Sequence, residues 1–189
     1  YDHILGFHKI NAFRDAVHNS VGGKENYFQV EERIDFDPYT ILGQKTKGGK
    51  ITEKDCLVMQ EIWKGPHTTG NDFLWYSFLP GGTFWNKIIP IGSFYYPLIG
   101  KRPKCFSLVE QYVHLAFEDP KKDLLHLKIR DFEKVFDTCI RKLGWLSCDH
   151  ADLRPFANAG GKLIIDHGLD DPLIPVEGTI DYYHHMREI

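Results

Sequence analysis

Near its C-terminal end the chain carries the run Lys162-Leu163-Ile164-Ile165-Asp166-His167, introduced by Gly160-Gly161 and followed by Gly168-Leu169-Asp170-Asp171-Pro172-Leu173-Ile174-Pro175. A short run that is apolar on successive residues has the pattern of a strand buried on both faces of a parallel sheet. A helix is expected to begin near Glu177 and continue through Tyr182, Tyr183 and Met186. Strand, loop and helix in that order form an α/β unit, and ligands in such sheets gather at the carboxyl ends of strands. The loop holding Asp170 and Asp171 is therefore where chemistry is sought.

Upstream, the pattern is legible in pieces. Residues 1–9 (Ile4, Leu5, Phe7) read as a short apolar strand, and residues 12–50 as irregular, punctuated by Val21-Gly22-Gly23, Asp37-Pro38 and Lys47-Gly48-Gly49. Thr52 followed three residues later by Asp55 predicts a capping box and a helix over 52–64, stopped by Gly65-Pro66. Residues 66–106 are rich in glycine, proline and aromatic residues without helical or strand periodicity, and read as a long packed excursion. Phe132, Val135, Phe136, Cys139, Ile140 and Leu143 fall at i, i+3, i+4, i+7, i+8 and i+11, which predicts a helix over 131–143 ended by Gly144.

Composition narrows the class. With 42% hydrophobic and 26% charged residues in 189, the chain has enough apolar side chains to offset ordering entropy, as a globular domain must. A net charge of −3 and a pI near 6.4 argue against nucleic-acid partners, which need a clustered positive field. The most basic stretch, residues 45–54, contains Gly48 and Gly49 and reads as a solvated loop. No apolar run is long enough to span a membrane, and nothing at the start of these residues resembles a signal peptide. It begins with Tyr1 instead of Met, which suggests a processed chain or an excerpt. Cys56, Cys105, Cys139 and Cys148 form no C-x-x-C pair and leave the redox compartment open.

Asp171 is the leading chemical candidate. A carboxylate on a tight loop after a parallel strand is how α/β-hydrolases present the acid of a Ser-His-Asp triad, although an aspartate before proline also caps turns. No G-x-S-x-G is present among the five serines. Ser20, before Val21-Gly22-Gly23, looks superficially like an elbow but lacks the preceding glycine, and a turn is the alternative. The histidines give no metal-ligand spacing: His184 and His185 point about 100° apart on a helix, and His167 reads as a hydrogen-bonded core residue. Aromatics between 73 and 96 either line an apolar pocket or fill a core.

Residues 152–175, read as DL-x-x-F-x-x-x-GGKL-x-x-x-HG-x-x-DP-x-IP and continued by Gly178-Thr179-Ile180-Asp181-Tyr182-Tyr183, resemble the tannase/feruloyl esterase family. Weaker matches are Tyr1 to Gly6, residues 56–70 with Pro80-Gly81-Gly82 and Trp85, and Phe117-Glu118-Asp119-Pro120. The resemblance implies part of an α/β-hydrolase core with a large inserted lid: a core strand in 1–12, the lid in 13–149, and the acid strand, loop and helix in 150–189. It implies that Asp171 is the triad acid, with the family's serine elbow upstream of Tyr1 and its histidine downstream of Ile189. The lid aromatics Trp75, Tyr76, Trp85, Phe94 and Tyr95 become candidates to hold an aromatic acyl group. The family's calcium loop has Asn and Gly in place of carboxylates at Asn19 to Asn26, so no metal or other cofactor is expected. The expected activity is carboxylic ester hydrolysis on small gallate, ferulate or related esters by a secreted protein. The alternative is an inactive relative that binds aromatic or sugar ligands.

Overall fold

A computed structural model of the chain describes residues 3, 5–21, 34–82, 107–124, 126–171 and 173–189. Among them the elements are α1 (Phe7–Ser20), a 3-10 turn (Pro38–Ile41), β1 (Lys45–Thr46), β2 (Gly49–Lys50), α2 (Glu53–Lys64), α3 (Ser107–Phe117), α4 (Ile129–Leu143), a second 3-10 turn (Gly144–Leu146), α5 (Arg154–Asn158) and α6 (Val176–Glu188). The described chain is thus mostly helical, and its only paired strands are the antiparallel β1 and β2, in the register Lys45↔Lys50 and Thr46↔Gly49.

The first departure from expectation lies at the start. Residues 7–20 are a helix, not the end of a strand followed by irregular chain. Ile10, Phe13 and Val17 recur at i, i+3 and i+7, and Phe13 and Val17 are buried. Leu5, buried just before the N-cap Gly6, packs into the same cluster. Three apolar residues in 1–9 were too short a pattern to separate a strand from the approach to a helix. The basic stretch 45–54 likewise is not a loop throughout, because 45–50 form the small exposed hairpin.

Helix α2 starts as its capping box requires. Thr52 Oγ1 accepts the Asp55 backbone N–H, and the Asp55 carboxylate accepts the Thr52 backbone N–H. At the other end Gly65 has φ 80° and ψ 177°, a conformation that only glycine adopts without strain. A Cβ there would also sit 3.0 Å from the Ser77 backbone nitrogen, so the stop doubles as a close chain crossing. Helices α1 and α2 pack through Phe13, Val17, Ile51, Cys56, Met59 and Trp63. The Trp63 ring meets Phe13 and Phe36 edge-on, at centroid distances of 6.2 and 6.0 Å. Burying a side chain such as Phe13 contributes about 2 kcal/mol against exposure. A second, smaller core joins α3 and α4 through Val113, Leu124 and Val135.

Helix α4 has the boundaries its apolar stripe predicts to within two residues, yet the stripe is only partly covered. Val135 is buried and Cys139 packs on the second core, whereas Ile140 remains largely exposed. The larger correction concerns residues 162–167. No strand forms there; Ile164 is 90% exposed and Leu163 49% exposed. A parallel strand needs neighbours to accept its backbone hydrogen bonds, and among the described residues no strand lies beside it. The helix expected after the loop is present as α6.

Candidate functional site

The loop between 167 and α6 is organised by two side chains. The Asp171 backbone N–H donates to the Gly168 carbonyl at 3.2 Å and closes a turn. Asp171 Oδ1 then accepts the backbone N–H groups of Leu173 at 2.8 Å and Ile174 at 3.0 Å. These amides, those of Ile174 and Leu173 in that order, hold the carboxyl below the usual carboxylate range, with the nearby His167 ring adding a smaller effect. Asp171 is therefore anionic at neutral pH, and its side chain keeps 33% of its surface open. The turn-capping role and the role of an accessible carboxylate coexist, since Oδ1 caps the turn while Oδ2 engages neither amide.

His167 stands at the other end of the loop. Its Nε2 lies 3.2 Å from the Ile174 carbonyl oxygen and 3.7 Å from Asp171 Oδ2, and its Nδ1 lies 2.7 Å from Thr179 Oγ1 on α6. The expectation of a hydrogen-bonded histidine holds, but its surroundings are the acid loop, not a core. The i,i+4 spacing of His167 and Asp171 across Gly168 was the available signal. Thr179 stood in the Gly178 to Tyr183 run that carries the resemblance, but with no chemical role attached to it.

A second layer ties the Gly- and aromatic-rich segment to this loop. The Tyr76 hydroxyl donates to Asp181 Oδ2 on α6 by a short hydrogen bond. Its ring lies so close to Gly178 that a Cβ there would sit 3.1 Å away. Burial, and then the Asp181 carboxylate, push the Tyr76 phenol up to about 12. The Pro80-Gly81-Gly82 turn passes between two elements: His18 Nε2 on α1 reaches the Gly81 carbonyl at 3.0 Å, and a Cβ on Gly82 would lie 3.0 Å from Asp170 Oδ1. An open groove of roughly 650 Å³ runs from Asp35 and Phe36 past Trp63 and Lys64 to Pro80, two residues before the contact with the acid loop.

Of the aromatic candidates, Trp75 is 45% exposed, with its ring 5.3 Å from Tyr76 and 6.5 Å from Phe136 on α4. Trp85, Phe94 and Tyr95 lie outside the described residues. Ser20 is the last residue of α1, not the apex of a strand-to-helix elbow, and its hydroxyl donates to the Val17 carbonyl at 2.7 Å. Among the described residues no group of three or more His, Cys, Asp and Glu side chains could hold a metal ion. No described helix is long and apolar enough to cross a membrane.

No family model matches the chain. It is similar to a probable feruloyl esterase of Arthroderma benhamiae, 26% identical over 192 aligned positions that cover 95% of this chain and 32% of the relative. It is also similar to a tannase of Aspergillus oryzae, 24% identical, covering 79% of this chain and 26% of the relative. A third relative, feruloyl esterase C of Talaromyces stipitatus, is 31% identical over 41% of this chain. In structure the chain resembles feruloyl esterase B from Aspergillus oryzae (TM-score 0.71, 18% identity) and tannin acyl hydrolase from Aspergillus niger (TM-score 0.68, 23% identity). Each likeness covers 95% of this chain and 35% of the other. The resemblance first carried by residues 152–175 thus extends over most of the chain, which spans about a third of the length of the first relative.

Proposed function

We propose that this chain, a relative of the feruloyl esterases and tannases, forms the acid-bearing part of a secreted carboxylic ester hydrolase acting on small gallate, ferulate or related aromatic esters. The observation that carries the reading is the alignment with a feruloyl esterase along 95% of the chain. The geometry of Asp171 supports it, being ionised and on an open loop, with one oxygen fixed by backbone amides and the other, 3.7 Å from His167 Nε2, bound to neither amide.

In this reading a serine and a histidine from outside these 189 residues complete the triad. The serine hydroxyl attacks the ester carbonyl and passes its proton to the histidine, which returns it to the departing alcohol. Asp171 accepts the histidine's other ring N–H, which fixes the tautomer and stabilises the imidazolium. Residues 13–149 serve as the lid. Trp75 offers an exposed ring face there, and Trp85, Phe94 and Tyr95 are further candidates to stack on the acyl ring; Tyr76 contributes its ring while Asp181 holds its hydroxyl. The exposed side chains of Leu163, Ile164 and Ile165 find cover when 162–167 pairs as a strand of the larger core sheet.

The test is Asp171→Asn in the full-length polypeptide, assayed on methyl ferulate and methyl gallate. Turnover should fall by about 10⁴-fold, the loss seen when a triad acid no longer selects the tautomer. A near-normal rate removes Asp171 from the triad.

A further inference from the structure

The bonds around His167 define its protonation pattern. A carbonyl oxygen only accepts, so the contact of Nε2 with the Ile174 oxygen at 3.2 Å requires the proton on Nε2. In the neutral ring Nδ1 then carries the lone pair, and the Thr179 hydroxyl, which can act either way, donates to it at 2.7 Å. The side chain is 15% exposed, so water competes weakly for these bonds. One ring thereby joins the end of the 162–167 segment, the far side of the acid turn at Ile174, and the second turn of α6.

The same ring edge faces the carboxylate. Nε2 is 3.7 Å from Asp171 Oδ2, and Oδ1 is held by the amides of Leu173 and Ile174. Moving Ile174 relative to His167 would displace one of the two amides that orient the carboxylate. Gly168 lies between His167 and the turn, so the local backbone alone would leave this geometry loose.

We propose that His167 is the positioning residue of Asp171: held in the Nε2–H tautomer between the Ile174 carbonyl and the Thr179 hydroxyl, it locks the 171–174 turn with Oδ1 on the backbone amides and Oδ2 turned toward the base histidine. The proposal deepens the esterase reading and rests on Asp171 being the triad acid. In this proposal His167 acts through Asp171 and not on the substrate. Protonation of Nδ1 would only reverse the direction of the Thr179 bond, so the lock persists in either charge state of the ring.

The experiment combines two arms on His167→Leu, His167→Gln and Thr179→Val. In the first, nitrogen-15 spectra of labelled histidine identify the His167 tautomer, and carbon-13 spectra of labelled aspartate follow the Asp171 carboxyl through its titration. Expected are an Nε2–H ring in the wild type, a changed Nδ1 shift in Thr179→Val, and an Asp171 midpoint that moves up in His167→Leu. Glutamine retains an N–H donor for Ile174 and should restore most of that midpoint, and it covers the case in which His167→Leu does not fold. In the second arm, His167→Leu in the full-length esterase should lower kcat about tenfold with KM within about twofold, as for a misaligned triad acid. An Nδ1–H tautomer in the wild type overturns the proposal. So does His167→Gln as defective as His167→Leu, or an unchanged Asp171 midpoint together with unchanged kcat. The spectra read the lock and the turnover of Asp171→Asn reads the triad assignment, so the two ideas fail separately.

Discussion

Among the described carboxylates, replacing Asp55 should damage this fold most. Its side chain is fully buried in the α1–α2 core, and four donors converge on it. Oδ2 accepts from the Thr52 backbone N–H and hydroxyl, each at 2.7 Å, and from Lys9 Nζ at 2.6 Å, while Oδ1 pairs with His3 Nε2 at 2.6 Å. Asp55→Ala removes the anion and leaves the Lys9 ammonium, only 14% exposed, without its counter-ion. Breaking one side of a buried pair costs about 3–5 kcal/mol, and loss of the capping box lies within that sum. Asp55→Asn keeps the shape and some of the Thr52 bonds, so about 2–3 kcal/mol is expected. Lys9→Met leaves the buried carboxylate with three donors but no ammonium and should cost about 3 kcal/mol, the low end of the range for a broken buried pair. With a urea slope of about 2 kcal/mol per M, Asp55→Ala moves the midpoint of the far-ultraviolet dichroism transition down by roughly 1.5–2.5 M.

The pH dependence of that contribution has a fixed sign. Burial alone would raise the Asp55 carboxyl, but the hydrogen bonds from Lys9, His3 and Thr52 outweigh it and hold the folded value well below the ordinary 3.8. The stabilisation is therefore complete above about pH 4 and is lost as the pH falls from there through the depressed folded value. The gap between wild type and Asp55→Asn should be constant from neutral pH down to that point and close in stronger acid. Variants within about 0.5 kcal/mol of wild type at pH 7, or a gap that closes on the alkaline side, would refute the reasoning.

Three further outcomes are expected. Tyr76→Phe loses the hydrogen bond to Asp181 and should cost about 1.5–3 kcal/mol; the difference in ultraviolet absorbance between it and wild type should show one phenol titrating only near pH 12. Gly65→Ala forces a side chain into φ 80° against the Ser77 backbone, so its denaturation midpoint should fall by the equivalent of at least about 1–3 kcal/mol. Cys56 is buried, its thiol pushed up first by burial and then by the charge of Asp55, and its Sγ lies 3.5 Å from the Pro38 carbonyl. A thiol reagent should consume exposed Cys148 quickly and Cys56 only on unfolding, with the fast phase smaller by one thiol in Cys148→Ser.

Local signals survived translation into structure wherever the chain could satisfy them by itself. The Thr52–Asp55 box, the Gly65 stop, the stripe on α4 and the helix after the acid loop depend on neighbours three or four residues away, and all four are present. The apolar run 162–167 failed as a strand because a strand is a relation between segments, and a six-residue run carries no information about its partners. Residues 7–20 were missed for a related reason. Gly6 offers no side-chain cap, and the Ile10, Phe13, Val17 face becomes visible only once Trp63 and Met59 are known to cover it. At the candidate site the Asp170-Asp171 loop was singled out because it carries a strong local pattern, whereas the contacts of His167 with Ile174 and Thr179 were not foreseen.

By itself, then, the sequence determined α2, α4 and the helix after the acid loop, along with the family resemblance, all of them short-range features written into contiguous residues. The tertiary structure alone decided that Asp55 would be buried among Lys9, His3 and Thr52, that Tyr76 would be held by Asp181, and that His167 would face Asp171 Oδ2. Burial, charge pairing and hydrogen-bond direction depend on what the folded chain brings within a few ångströms, and separations of 46, 52 and 105 residues leave no periodic trace in a sequence.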